Sequence, residues 1–204
     1  IKNTASLKMA EVIYLLSQLT QGEAVVVTDV GQHQMVTSRY YQYKNPRSNI
    51  TSGGAGTMGF ALPAALGAKV AMPQKQVVAV IGDGGYQMTV QELGTIMQYN
   101  IPVKILVLNN NFLGMVRQWQ QLFHGKRYSF TEMQNPDFVK IAEAYRIPAA
   151  KVTEQKNLEA ELKKMLAAET SYFLEVVVEK EDNVFPMVPA GAGVAEVILE
   201  IPKS

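Results

Sequence analysis

The chain contains no cysteine, which excludes disulfides and any thiolate metal site. It has no excess of either charge. Its 19 Lys and Arg residues are interspersed with 18 Asp and Glu, for a net charge of +1. That balance gives no electrostatic case for nucleic acid or for an anionic membrane surface as partner. No apolar run approaches the roughly 18–20 residues of a transmembrane helix. Lys2, Lys8 and Glu11 interrupt the N-terminal region, so no signal peptide is visible. These absences lead to the expectation of a cytoplasmic protein with no membrane or nucleic-acid partner. What remains suits one large globular domain with a substantial core. There are 204 residues, 48% of them hydrophobic and 18% charged. The chain begins at Ile1 rather than Met, and it reads as an excerpt of something longer. It has no internal repeat and no low-complexity segment.

The stretch 77–120 organises the rest. Two β-branched runs, 77–81 and 103–108, end abruptly in Gly82-Asp83-Gly84-Gly85 and in Asn109-Asn110-Asn111. Such runs bounded by turn residues read as buried parallel strands. The segment 88–99 has the length for one crossover helix, with Pro102 at its exit. Parallel neighbours present their C-terminal ends at one sheet edge, so Asp83 and Asn110 are expected close together where α/β sheets bind ligands. A carboxylate, an amide oxygen and glycines make an oxygen site for a small hard cation, and Mg²⁺ fits. Lys104 is the one basic residue between Gly82 and Asn111. A diphosphate held here would therefore rely on the metal and on N–H groups at a helix start.

Along the chain, Met9, Val12, Ile13, Leu16 and Leu19 fall at helical spacing, with Ser6 as the expected cap and Gly22 as the expected end. Strand 24–28 leads into Asp29-Val30-Gly31-Gln32-His33. A turn and helix start after a strand can offer N–H groups to an anion. A lone histidine such as His33 is, on spacing alone, more often structural than catalytic. Segment 39–48 reads as a surface connection, 49–52 as a very short strand, and 60–71 as a small-residue helix. Gly54, Gly56 and Gly59 spell G-x-G-x-x-G. The strand before them is weak, however, and the only acid nearby is Asp83, 24 positions on. A dinucleotide fingerprint needs better on both counts. Met115 and Trp119 share a helical face, which spacing alone would assign to core packing, as it would Met58. Further helices are expected after Asp137 and around Leu158, Leu162, Met165 and Leu166, with strands at 149–152 and 172–178. His124 has no partner in the sequence. The segment from Glu179 carries Pro186, Pro189, Gly191 and Gly193 and should be irregular. Strands alternating with helices give a three-layer α/β/α domain on a mostly parallel sheet of about six strands.

GDG followed by NN at this spacing resembles the thiamine diphosphate signature. The wider stretches GQHQM, ITSGGAGTMGFALPAALGA, GDGGYQMTVQEL, PVKILVLNNNFLGMVRQWQ and FPMVPAG resemble the C-terminal domain of the acetohydroxyacid synthase (acetolactate synthase) large subunit. The GDG and NN pair specifies the superfamily; GMVRQWQ and GQHQM narrow it. The resemblance implies a thiamine-binding fold and condensation of pyruvate with pyruvate or 2-ketobutyrate, with loss of CO₂, in branched-chain amino acid biosynthesis. It implies side-chain Mg²⁺ ligands at Asp83 and Asn110 and a main-chain ligand at Phe112. It places cofactor contacts at Val30, Gly31, Gln32, His33, Gly56, Met58, Gly82, Gly84, Gly85, Leu113, Gly114 and Met115. It places the pocket for the second keto acid at Met115, Val116 and Trp119, and makes 179–204 part of a lid. No catalytic residue is expected in this chain, because the family's activating glutamate comes from the N-terminal domain of a partner subunit. FAD is expected in the full-length enzyme but not in this domain. A homodimer or homotetramer, with a small regulatory subunit, is the implied assembly. The rival readings are another thiamine diphosphate-dependent decarboxylase or oxidase, a Rossmann dinucleotide oxidoreductase, and a non-catalytic module kept for subunit contacts.

Overall fold

A computed structural model of the chain describes residues 6–200; Lys2 and positions 201–204 of the tail lie outside the described residues. The β-branched runs become β1 (Val25–Thr28), β2 (Asn49–Thr51), β3 (Val77–Gly82), β4 (Lys104–Asn109), β5 (Ala149–Val152) and β6 (Tyr172–Val177). They form one sheet in the order β2-β1-β3-β4-β6-β5, with every pairing parallel. The period-two alternation of strand side chains divides the core. Val78, Val80, Leu106 and Leu108 meet α1 (Met9–Leu19), α2 (Gln32–Tyr40) and α8 (Gln155–Ala167) on one face. Val77, Ala79, Ile81, Ile105 and Val107 meet α3 (Ala61–Ala71), α5 (Glu92–Tyr99) and α7 (Phe138–Ala144) on the other. This is the expected three-layer α/β/α architecture. Each fully buried Val, Leu or Ile stabilises by about 1.5–3 kcal/mol relative to exposure. The doubly covered central strands β3 and β4 therefore make the rigid platform for their C-terminal ends. The order reverses between β1 and β3, since β1 pairs outward with β2 and β3 outward with β4. That reversal is a topological switch point, where open α/β sheets place ligands.

Several local expectations are corrected. The expected single crossover helix over 88–99 is two helices, α4 (Asp83–Met88) and α5, broken at Thr89–Gln91. The break has a cause in the Gly59 turn. The Thr89 hydroxyl donates to the Gly59 carbonyl at 2.9 Å, and a Cβ at Gly59 would come within 2.9 Å of Met88 Cβ. Ser6 does not cap α1. Its hydroxyl bonds Glu179 instead, and Lys8 occupies the N-cap position. At the other end Gln21 (φ 52°) takes the first left-handed position, one residue before Gly22. The segment expected as a surface connection after Ser38 is in part packed. α2 continues to Tyr40, and Tyr41 is buried with its ring 4.7 Å from Tyr43 and its hydroxyl 2.6 Å from that of Thr20. Among the described residues after Glu179 the chain is irregular apart from a short 3₁₀ turn, Val194–Glu196, and one bridge between Met187 and Ile198. Among the described residues, no helix is long and apolar enough to cross a membrane.

Candidate active site

The C-terminal ends of β1, β3 and β4 open into one cleft. Its walls include Val30, Gly31, Gln32, His33, Met58, Gly82, Asp83, Gly85, Asn110, Phe112, Leu113, Gly114, Met115 and Val116. Three helix starts face it: α2 from Gln32, α4 from Asp83, and α6 (Gly114–Phe123). Each brings first-turn N–H groups that have no acceptor within the helix backbone, and the positive end of a helix dipole. The enclosed space is about 130 Å³, below the ~300–1,000 Å³ of sites that enclose a small ligand.

At the end of β1, Asp29 is fully buried and is a hub. One carboxylate oxygen bonds His33 Nε2; the other accepts the Gly59 N–H at 2.9 Å. The His33 ring lies between two glycines, and a Cβ at Gly31 or Gly82 would come within 2.9 Å of it. A Cβ at Gly85 would overlap the Asp29 carboxylate. The glycines are therefore required by the close approach of β1, β3 and α4.

At the end of β3, Asp83 is 1% exposed. Its Oδ1 accepts the Gly84 N–H at 3.1 Å and its Oδ2 accepts Asn135 Nδ2 at 2.7 Å. Burial pushes the Asp83 carboxyl above its ordinary value, opposed by the bonds from Asn135 and from the N–H groups of Gly84 and Asn111. A bound cation acts against that desolvation. At the end of β4, Asn110 Oδ1 accepts the Phe112 N–H at 3.2 Å and its Nδ2 donates to Gln32 Oε1 at 3.2 Å. The donor set of Asp83, Asn110 and the Phe112 carbonyl is all oxygen and fits Mg²⁺, which takes its remaining ligands from phosphate and water. Among the described residues no cluster of three His, Asp or Glu side chains competes as a metal site.

Three residues expected at the site lie off the cleft wall. Gly56 (φ 63°) is exposed, with nothing within 4 Å of where a Cβ would stand. Met58 is the member of that loop that reaches the cleft. Gly84 sits behind the wall, where a Cβ would come within 2.8 Å of Leu113. Trp119 is 37% exposed, stacks on Phe123 at 4.7 Å and lines a neighbouring cavity with Val116, Gln120, His124 and Arg127. Four residues of helix carry it roughly 6 Å along the axis from Met115. Val116 borders both cavities.

Comparison with known proteins places the chain in a family. The family model for the thiamine pyrophosphate enzyme C-terminal TPP-binding domain matches residues 29–176. The chain belongs to this family. It is 48% identical over 92% of its length to the acetolactate synthase large subunit of Lactococcus lactis, and covers 33% of that protein. It is 47% identical over 90% of its length to the acetolactate synthase isozyme 2 large subunit of Escherichia coli K12, covering 34% of it. The corresponding Haemophilus influenzae large subunit is 44% identical over 99% of the chain. The chain spans about a third of the length of the curated relatives it matches. Membership in the TPP-binding family removes the dinucleotide reading of Gly54, Gly56 and Gly59.

In this TPP-binding domain several structural participants were not singled out from the sequence. Asp29 follows the last residue of β1 and stands two positions before Gly31 of the GQHQ turn. Gln118 is fully buried; it accepts the Val184 N–H at 2.9 Å and donates to the Val184 carbonyl at 3.1 Å. Arg117, also fully buried, donates to Asn183 Oδ1 at 2.6 Å and to Gln121 at 2.8 Å. The polar face of α6 thereby grips the tail at residues 182–184. Gln32 joins the same grip through Gln118 and the Asp182 carbonyl, both at 2.9 Å.

Proposed function

We propose that this chain is the cofactor-binding domain of an acetolactate synthase, joining pyruvate to a second 2-keto acid with loss of CO₂. The observation that carries the reading is the near-half identity to acetolactate synthase large subunits over nine-tenths of the chain. The glycine-lined cleft at the ends of β1, β3 and β4 supports it, with Asp83 and Asn110 both on its wall. Asp83 and Asn110 would hold Mg²⁺ by side-chain oxygens and Phe112 by its carbonyl. The N–H groups at the starts of α2, α4 and α6 would face the diphosphate. Met58 offers a polarizable thioether at the cleft wall, suited to propping a ring. Met115 and Val116 would shape the pocket for the second keto acid, with Trp119 at its outer side. When bound, thiamine diphosphate supplies the carbanion and the electron sink for decarboxylation. The chain's own residues supply position, charge neutralisation and exclusion of water.

The activating carboxylic acid would come from the N-terminal domain of a partner subunit. Glu92, at the start of α5, hydrogen-bonds Thr95 and does not border the cleft. The cleft would be completed by a second chain, in a homodimer or homotetramer. FAD would bind outside this domain, a small regulatory subunit would complement the large one, and the enzyme would work in the cytoplasm. An intact synthase carrying this segment should form acetolactate from pyruvate with Mg²⁺ and thiamine diphosphate; acetaldehyde as sole product would overturn the reading in favour of a simple decarboxylase. The 204-residue chain alone should give no turnover in the same assay. Turnover at the rate of an intact enzyme would require an activating acid within it.

A further inference from the structure

The loop that carries Asn110 and Phe112 is stapled by a segment far along the chain. The Leu113 N–H donates to the Thr131 carbonyl at 2.8 Å, and the Met133 N–H to the Asn111 carbonyl at 2.9 Å. Phe112 and Glu132 form an antiparallel bridge. The staple ends in Asn135, just before α7. Its side-chain nitrogen lies 2.7 Å from Asp83 Oδ2, 3.0 Å from Asn109 Oδ1 and 3.2 Å from Asn111 Oδ1. Asn135 thus joins both halves of the GDG and NN signature.

The chemistry of its neighbours sets the direction of each bond. The Asn111 N–H is a donor and faces Asn109 Oδ1 at 2.9 Å; Asn109 Nδ2 in turn faces the Glu175 carboxylate at 2.7 Å. Asn109 therefore presents an oxygen to Asn135, as Asp83 does, and Asn135 must answer with its NH₂ group. Its own carbonyl is met by Gln87 Nε2 at 2.9 Å. Glu175, buried in β6, also meets Lys151, whose ammonium lies 3.0 Å from the same Oε1 that Asn109 contacts. The amides of Asn109 and Asn135 lie between the Glu175 and Asp83 carboxylates, and a flip of either would set an amide oxygen against a carboxylate oxygen.

We infer that Asn135 is a positioning residue for the metal site: its NH₂ group fixes the Asp83 carboxylate against the asparagine loop, so that the oxygens offered to Mg²⁺ are set before the metal arrives. The inference rests on the metal reading of Asp83 above. Partners that orient a metal ligand are typically worth about 10–100-fold in metal affinity. The test is Mg²⁺ binding by calorimetry, in the presence of thiamine diphosphate, to an intact synthase carrying this segment. Asn135→Ala removes the donor; Asn135→Asp keeps the shape and turns the donor into an acceptor facing Asp83. Both should weaken Mg²⁺ by about 10–100-fold, with turnover recovered when Mg²⁺ is saturating. Gln87→Ala, which leaves the NH₂ group and its acceptors in place, should bind Mg²⁺ as the wild type does. Wild-type Mg²⁺ affinity in both Asn135 variants would overturn the inference. So would a loss of turnover that saturating Mg²⁺ does not restore, which marks a merely structural role. A wild-type enzyme that takes up no Mg²⁺ would instead overturn the metal reading, and this inference with it.

Discussion

The two edges of the sheet each bury a charged side chain, and they treat it in opposite ways. At the N-terminal edge, Lys104 enters β4 with 4% exposure, and its ammonium donates to the carbonyls of Ala168 and Thr170 beyond the end of α8. Burial, with a smaller contribution from Lys69, lowers its pKa to about 8. At the C-terminal edge, Asp83 is as deeply buried, yet it borders an open cleft at the start of a helix. No Lys or Arg pairs with it among the described residues. The lysine is held by two fixed carbonyl dipoles and pairs with no carboxylate among the described residues. The aspartate has dipoles that orient it, and space beside it for a cation. A buried charge thus indicates a ligand site only when its surroundings leave part of its coordination open.

Three experiments, beyond those on the isolated chain and Asn135, would break or sharpen this contrast. The largest effect is expected at the open edge. Asp83→Ala in the intact enzyme should abolish Mg²⁺-dependent retention of thiamine diphosphate while the protein stays folded, because the lost carboxylate sat at a strand end on the cleft wall and not within the apolar core. Unchanged cofactor affinity by calorimetry would remove the open edge from the metal site. Farther from the cleft, Trp119→Leu should spare the first decarboxylation and shift the ratio of products from pyruvate and 2-ketobutyrate. One methylene of pocket discrimination is worth roughly 1–3 kcal/mol, so the shift should be on the order of tenfold or more. An unaltered ratio in a competition assay would detach the Trp119 cavity from substrate choice.

The smallest effect belongs to the closed edge. Below pH 8 Lys104 is charged in both folded and unfolded states, and the cost of burying the charge is fully present. Between about 8 and the ordinary 10.5, the folded protein gives up this proton while the unfolded chain keeps it. Stability should therefore rise with pH across that window, by at most about 1.4 kcal/mol per pH unit from this group. Lys104→Met should remove that rise without changing Mg²⁺ binding. Parallel denaturation curves for the two proteins from pH 8 to 10 would contradict the lowered value.

Much of the open edge was legible in the sequence because its information is local. The two apolar runs, their polar ends and the residues joining them all lie within 77–111. Parallel pairing then needs no further input to bring Asp83 and Asn110 to one cleft. What stayed hidden depends on contacts between distant segments. The break at Thr89 comes from the Gly59 turn, 30 positions earlier. Asn135 reaches Asp83 across 52 positions, and Asn109 reaches Glu175 across 66. Asn135-Pro136-Asp137 reads correctly as a helix start, with Asp137 accepting the Lys140 N–H at 3.1 Å. Nothing in that reading says that the residue before the proline faces a carboxylate. Trp119 illustrates the converse limit. Helical spacing set it on the face of Met115, but spacing carries no information on how far the helix axis departs from the cleft.

The all-parallel pairing of the six strands has one more consequence. Every strand crosses the sheet in the same sense, so the following turns, and the helices that open after β1, β3 and β4, begin at one rim. Amide groups there point outward as a set, and carbonyl groups crowd the opposite rim, where Lys104 finds its two. The domain is polarised from end to end by chain direction alone, independently of the near-zero balance of its side-chain charges. The three helix starts that face the cleft are thus set on one rim by the direction of the backbone and not by the composition.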